Sequence, residues 1–193
     1  MQRIKELKRE TSETKIELKI NLDGTGKSEV KTGIKFFDHL LRTLSFYSLF
    51  DLSINAFGDL KHHLIEDVGI ILGKGFNEAN SKSLGIKRFG YACIPMDDSL
   101  VSVAVDCGCD RSYVSINLNF SNEFIEDMSI KDFVHFLYSF GQNAQINLHI
   151  DALKGVNDHH KAEAAMKALG IALREAISLD PKRTGKKSSL KNE

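Results

Sequence analysis

Asp158-His159-His160-Lys161-Ala162-Glu163 repeats the pattern of Lys61-His62-His63-Leu64-Ile65-Glu66, so the spacing His-His-x-x-Glu occurs twice, 97 residues apart. If each copy opens a helix, its Glu lies four residues after the first His and three after the second, and shares a face with both. The two imidazoles of a pair diverge by about 100°. Adjacent histidines then cannot easily close on one ion, and each pair serves two metals or two subunits. A further histidine precedes each copy on an aromatic-rich helical stretch, Phe36-Phe37-Asp38-His39 before the first and Phe133-Val134-His135-Phe136 before the second. Six of the seven histidines thus form two equivalent sets, one per half, each with three His and one Glu. Histidines scattered through a core or a surface have no reason to be duplicated in this way.

The segments around these motifs repeat as well. Residues 1–12 read as a helical or irregular lead-in. Ile16, Leu18, Ile20 and Leu22 alternate with polar residues, the period of a half-buried strand. Asp23-Gly24-Thr25-Gly26 supplies turn chemistry before a second strand over 30–34, which predicts a hairpin. Phe36, Phe37, Leu40, Leu41 and Leu44 have helical spacing, Leu52, Ile54 and Ala56 alternate, and the first His pair then opens a buried helix. After a polar stretch near residue 84 the same order returns. Val101, Val103 and Val105 alternate, as do Val114, Ile116 and Leu118; 130–140 is helical; Ile146, Leu148 and Ile150 alternate; and Asp158 opens the last helix. Both halves read strand, strand, helix, strand, helix. The expectation is an α+β chain, an internally duplicated two-layer α/β sandwich in which each half is a small mixed sheet with two helices on one face. The half-repeats would be 1–86 and 87–193, lying side by side and fused in one globular domain.

Composition narrows the function classes. The formal net charge is zero, so no global field favours nucleic acid or an anionic membrane, and an anion must be held locally. No apolar run approaches the ~18 residues of a spanning helix, and the charged start suggests a cytoplasmic protein. Three cysteines do not make a disulfide framework. Cys107 and Cys109 sit at strand spacing and could in principle bind metal, but such pairs are more often simply packed. Six imidazoles and two carboxylates instead divide into two ions, with His39, His62, His63, Glu66, His135, His159, His160 and Glu163 as ligands. Positions left open for water and substrate imply catalysis more than structural clamping. Nitrogen-rich sites with a carboxylate suit Mn, Fe or Zn. His149, whose counterpart in the first half is Ser53, breaks the pairing and reads as a strand residue or outer-shell donor.

Further motifs occur in a recognisable order: Arg9-Glu10-Thr11-Ser12-Glu13-Thr14, Asp23-Gly24-Thr25-Gly26, Thr32-Gly33-Ile34-Lys35-Phe36-Phe37-Asp38-His39-Leu40, Arg88-Phe89-Gly90, Pro95-Met96-Asp97-Asp98 and both histidine motifs. Over nearly its whole length the chain resembles the imidazoleglycerol-phosphate dehydratases of histidine biosynthesis. The resemblance implies two Mn ions per active site, with Fe or Zn as alternatives. It also implies trimers assembled into a cage of twenty-four subunits, with active sites at subunit contacts. The reaction it implies removes water from imidazoleglycerol phosphate, through a metal-bound imidazolate and a diazafulvene, to give imidazoleacetol phosphate. Glu13 matches the family's active-site Glu, and Glu66, Glu163 and Lys167 join it as candidate catalytic groups. Arg88, Arg111, Ser189 and Lys191 match substrate-binding positions, with Glu13. Three segments depart from the pattern: the stretch Asp106 to Arg111 is one residue longer, Gly58-Asp59-Leu60-Lys61 is shorter, and the basic C-terminus matches only loosely. These departures keep an alternative in view, a metal-binding or storage assembly of the same fold without turnover. A phosphotransferase lacks support because there is no glycine-rich nucleotide loop.

Overall fold

A computed structural model describes residues 3–81 and 84–183. The first half runs β1 (Ile4–Glu10), β2 (Thr14–Asn21), β3 (Ser28–Lys31), α1 (Lys35–Ser48), β4 (Asp51–Gly58) and α2 (Lys61–Asn80). The second runs β5 (Phe89–Met96), β6 (Ser99–Asp106), β7 (Tyr113–Asn117), a small hairpin of β8 (Phe124–Ile125) and β9 (Met128–Ser129), then α3 (Ile130–Asn143), β10 (Asn147–Lys154) and α4 (Asp158–Ala176). The sheets have matching orders, β1-β2-β4-β3 and β5-β6-β10-β7. In each, one pair is parallel, β3 with β4 and β7 with β10, so both sheets are mixed. The duplicated α/β architecture follows the sequence pattern.

Four local expectations are corrected. The lead-in is a strand, β1, paired antiparallel with β2. It escapes periodicity because two of its inward positions, Lys5 and Arg9 on either side of Leu7, are charged, and cross-strand pairs Lys8–Glu17 and Lys19–Glu6, both at 2.6 Å, hold it as a polar sheet edge. The hairpin is therefore β1–β2. The Asp23–Gly26 turn does not fold β3 back onto β2; Asp51 on β4 accepts the Thr25 and Lys27 N–H groups and draws the chain across to the far side of β4. A first strand was also missed in the second half. The first two inward residues of β5, Gly90 and Ala92, are too small to give an apolar alternation with Ile94 and Met96, because α4 lies so close that a Cβ on Gly90 would sit 1.9 Å from the Ala172 carbonyl. Finally, the halves are stacked rather than side by side. Their helices meet in the middle, α1 on α4 and α2 on α3, and the sheets lie outside.

One continuous core results, in which Phe37 meets Phe136 edge-on at 5.1 Å and Phe76 meets Phe140 at 6.1 Å. Two glycines at equivalent positions, Gly73 on α2 and Gly170 on α4, let the helices cross at short range. A Cβ on Gly73 would meet the Phe140 carbonyl at 2.5 Å, and one on Gly170 would meet the Leu44 carbonyl at 3.0 Å. Both obstacles are backbone and cannot rotate away. Gly73→Ala is expected to lower unfolding free energy by about 1–3 kcal/mol, the range for overpacking a close contact, measured as a reduced urea midpoint with unchanged slope.

Candidate metal centres and active site

Helix stacking decides which histidines meet. His135 on α3 faces α2, where its Nε2 lies 3.2 Å from Glu66 Oε1 and its ring 5.2 Å from that of His62. The donor atoms of His62, Glu66 and His135 all fall within 4.8 Å of one another. His39 on α1 faces α4, where its Nε2 is 2.6 Å from Glu163 Oε1, and His159 Nε2 reaches the same oxygen at 3.2 Å. Each centre thus takes its lone histidine from one half and its His-x-x-x-Glu from the other. This corrects the expectation of one set per half. The sets were drawn by order in the chain, whereas the helices pair across the duplication.

The second histidine of each pair turns away, as helical spacing requires, with ring centroids 6.0 Å apart for His62 and His63 and 6.1 Å for His159 and His160. His63 Nδ1 bonds Asp59 at 2.9 Å and lies 3.7 Å from Glu13 Oε2. The hydrogen bond to Asp59, helped by the Glu13 charge, raises the His63 pKa. Thr11 builds the β1–β2 turn by accepting the Glu13 and Thr14 N–H groups, and Asp59 N–H donates to the Glu13 carbonyl, so Glu13 is held at the helix start. His160 Nδ1 bonds Asp98 at 2.6 Å, and its Nε2 lies 3.3 Å from Asp97. Asp98 occupies in the β5–β6 turn the place Glu13 holds in the β1–β2 turn. The hydrogen bond from His160 and the N–H groups of Asn157 and Val156 hold its carboxyl well below the usual range.

The α4 centre is the more enclosed. Glu163 is nearly buried, and its second oxygen pairs with Lys167 at 3.1 Å. Burial alone would raise its pKa, but His39 and Lys167 outweigh it and keep the carboxylate ionised. An open depression beside it is lined by Lys35, Phe36, His39, Glu126, Asp127, His159 and Glu163. Asn157 caps α4 by accepting the His159 and His160 N–H groups. Beneath it the buried pair Asp158–Lys161, at 2.7 Å, is satisfied by Ser121, Asn122 and the Asn119 carbonyl.

Arg88 lies elsewhere. Its N–H donates to the carbonyl of Ala176 at the C-terminus of α4, and its guanidinium bonds both oxygens of Asp106 at 2.8 and 2.9 Å. Arg111 is exposed on the turn after β6, at the same end. Since His159 and Glu163 lie 17 and 13 residues before Ala176, these arginines are roughly 20–26 Å along the axis of α4 from the centre near its start. Ser189 and Lys191 lie outside the described residues. His149 is an exposed residue of β10 beside Tyr113 and meets neither centre. The Cys107 thiol is pushed up by burial, which disfavours the thiolate a metal needs.

The donors suit a divalent cation, with imidazole nitrogens and a carboxylate converging while one side stays open. A family model described as imidazoleglycerol-phosphate dehydratase matches residues 32–173. The chain belongs to the imidazoleglycerol-phosphate dehydratase family. It is therefore of the hydro-lyase class. The imidazoleglycerol-phosphate dehydratase of Dehalococcoides mccartyi strain CBDB1 is 48% identical over 185 residues, covering 96% of this chain and 94% of that one. That of Methanococcus maripaludis strain C5 is 47% identical over 178 residues, covering 91% and 92%. The crystal structure of the Staphylococcus aureus dehydratase superposes with a TM-score of 0.85 at 33% identity, covering 92% of this chain and 99% of that one; the Pyrococcus furiosus structure gives 0.82 at 36%, covering 96% and 98%.

Carboxylates to which the sequence assigns no role stand behind the imidazoles: Asp59, Asp132, Glu126 and Asp98, the last within the Pro95-Met96-Asp97-Asp98 motif. Asp132 carried a signal, being three residues before His135 on the same helix. The Asp106–Arg88 pair gives a pH test. Burial raises the Asp106 carboxyl, but Arg88 and the Gly108 N–H outweigh it and hold it below its ordinary value. Such a group stabilises fully above its unfolded pKa of about 3.9 and loses that contribution as pH falls through the folded value. The stability gap between wild type and Asp106→Asn, read from urea unfolding, should stay level from neutral pH down to about pH 5 and narrow below about pH 4.

Proposed function

We propose that this chain is a cytoplasmic biosynthetic enzyme that dehydrates imidazoleglycerol phosphate to imidazoleacetol phosphate in the route to histidine, using two divalent ions per active site. Mn is our first choice, with Fe or Zn as alternatives. The observation that carries the reading is the pair of cross-half His/Glu centres in a chain of this family. His62, Glu66 and His135 would hold one ion, and His39, His159 and Glu163 the other. The substrate has no carbonyl to acidify the C–H bond that must break, so the imidazole ring has to serve as the electron sink. Bound ions supply electron withdrawal at that ring and favour its deprotonated form.

The chain's own groups do the rest. Glu13, half-exposed in the β1–β2 turn with its carboxylate 3.7 Å from His63, is assigned proton transfer at the substrate carbon. Lys167 keeps Glu163 ionised and adds positive charge at the polar end of the site. Arg88, pre-oriented by Asp106, and Arg111 bind phosphate, for which a fixed guanidinium fork is suited. Ser189 and Lys191 are assigned the same anion.

These arginines sit at the opposite end of α4 from that chain's own centre, and His63 and His160 turn away from the centres their neighbours His62 and His159 join. Both features support sites completed between copies, and we propose the trimer-based assembly of twenty-four. His63 and His160 would then add a third imidazole to a neighbour's centre.

Chelator-stripped protein should lack turnover and regain it with Mn. In Glu13→Gln, kcat should fall by about 10²–10⁴, the usual worth of a general acid or base, with bound Mn unchanged. His160→Ala should lose both turnover and metal. Tight Mn binding without turnover in the wild type would overturn the enzyme reading and leave a metal-binding assembly.

A further inference from the structure

The two centres are built by one duplicated sequence, yet they hold their helix-opening histidines by different means. In the α2 centre, His62 Nδ1 bonds Asp132 at 2.7 Å. Asp132 stands on α3, three residues before His135. In the α4 centre the matching position, three residues before His39 on α1, is Phe36, whose ring packs on His159 at 4.8 Å. No carboxylate can come from there. His159 Nδ1 is met instead by Glu126 Oε1 at 3.2 Å.

Glu126 belongs to the turn between β8 and β9, an insertion with no counterpart in the first half, where β3 ends at Lys31 and α1 begins at Lys35. Glu126 takes a positive φ of 51°, a conformation costly for its side chain. The turn is anchored on the helix that carries His39: Asp127 accepts the Lys35 and Phe36 N–H groups at 2.8 and 3.0 Å. Its carbonyl takes Lys61 Nζ at 2.6 Å, beside the other centre.

We propose that Glu126 is a positioning residue for the α4 centre, supplying to His159 from the inserted turn the Nδ1 hydrogen bond that Asp132 supplies to His62. The inference rests on the metal reading above. A carboxylate only accepts, so the proton stays on Nδ1 and Nε2 keeps its lone pair toward His39 and Glu163. Without it the ring can rotate or take the tautomer whose Nε2 carries a proton and cannot bind an ion. Loss of such an outer carboxylate typically costs about 10–100-fold in metal affinity.

The test uses the full, chelator-stripped chain and Mn(II), with free ion followed by electron paramagnetic resonance. Wild type should bind two ions per chain. Glu126→Ala should weaken one of them about 10–100-fold and leave the other. Asp132→Ala should do the same to the other ion, and the double variant should weaken both. Glu126→Gln, which keeps an oxygen acceptor in the same place, should lose less than the alanine variant. Glu123→Ala, a nearby exposed carboxylate outside the centre, should bind both ions as wild type does. Melting temperatures of the ion-free variants should match wild type, which separates ligand positioning from folding. Wild-type affinity for both ions in Glu126→Ala would overturn the positioning role while leaving the metal reading intact. Failure of the wild-type chain to bind Mn, Fe or Zn would overturn both.

Discussion

The close crossing of α2 on α3 and of α4 on α1 is the contact on which everything else depends. Two glycines at corresponding places, Gly73 and Gly170, remove the Cβ atoms that would otherwise hold the backbones apart. The helices then press together over Phe37, Phe136, Phe76 and Phe140 and fuse two thin α/β layers into one core. That same contact brings His39 to Glu163 and His135 to Glu66. Packing energy and the geometry of the His/Glu clusters are set by one interface, so a change that separates the helices also opens the clusters.

Within this frame the imidazoles are prepared by charge. Each of the four helix-opening histidines has a carboxylate at Nδ1: Asp132 for His62, Asp59 for His63, Glu126 for His159 and Asp98 for His160. The carboxylates come from a helix, a loop and two turns, none of them regular in sequence. Their common effect is to leave Nε2 as the outward nitrogen. The enclosed Glu163 differs from the more open Glu66 in sharing an oxygen with Lys167, whose counterpart in the first half is Ile70. The duplicated centres are therefore related in position and distinct in electrostatics.

Much of this was legible in the chain. The paired motifs placed the histidines at helix starts, and the divergence of adjacent histidines followed from 3.6 residues per turn. The short β8–β9 hairpin was not legible, nor were two strands of the main sheets, for different reasons. Charges at the inward positions Lys5 and Arg9 erase the apolar alternation of β1, and the nearness of α4 reduces the first inward positions of β5 to Gly90 and Ala92. Nor could the partnership of His39 with Glu163 be read, since periodicity tells which face of a helix is apolar but not which other helix covers it. Glu126 was invisible, and Asp98 stood in a motif without a role, because a carboxylate in a turn looks like any solvated residue until the imidazole beside it is seen.

The crossing of ligands between halves also bears on how such a chain can arise. A half-length ancestor would carry a lone histidine and a His-His-x-x-Glu, yet on this architecture it could complete no centre by itself. Two identical copies, related by a twofold axis, would complete two identical centres. Joining the copies end to end fixes their ratio and frees each from the demand of fitting its own duplicate. Phe36 and the inserted turn that carries Glu126 are changes that only a fused descendant can make on one side alone.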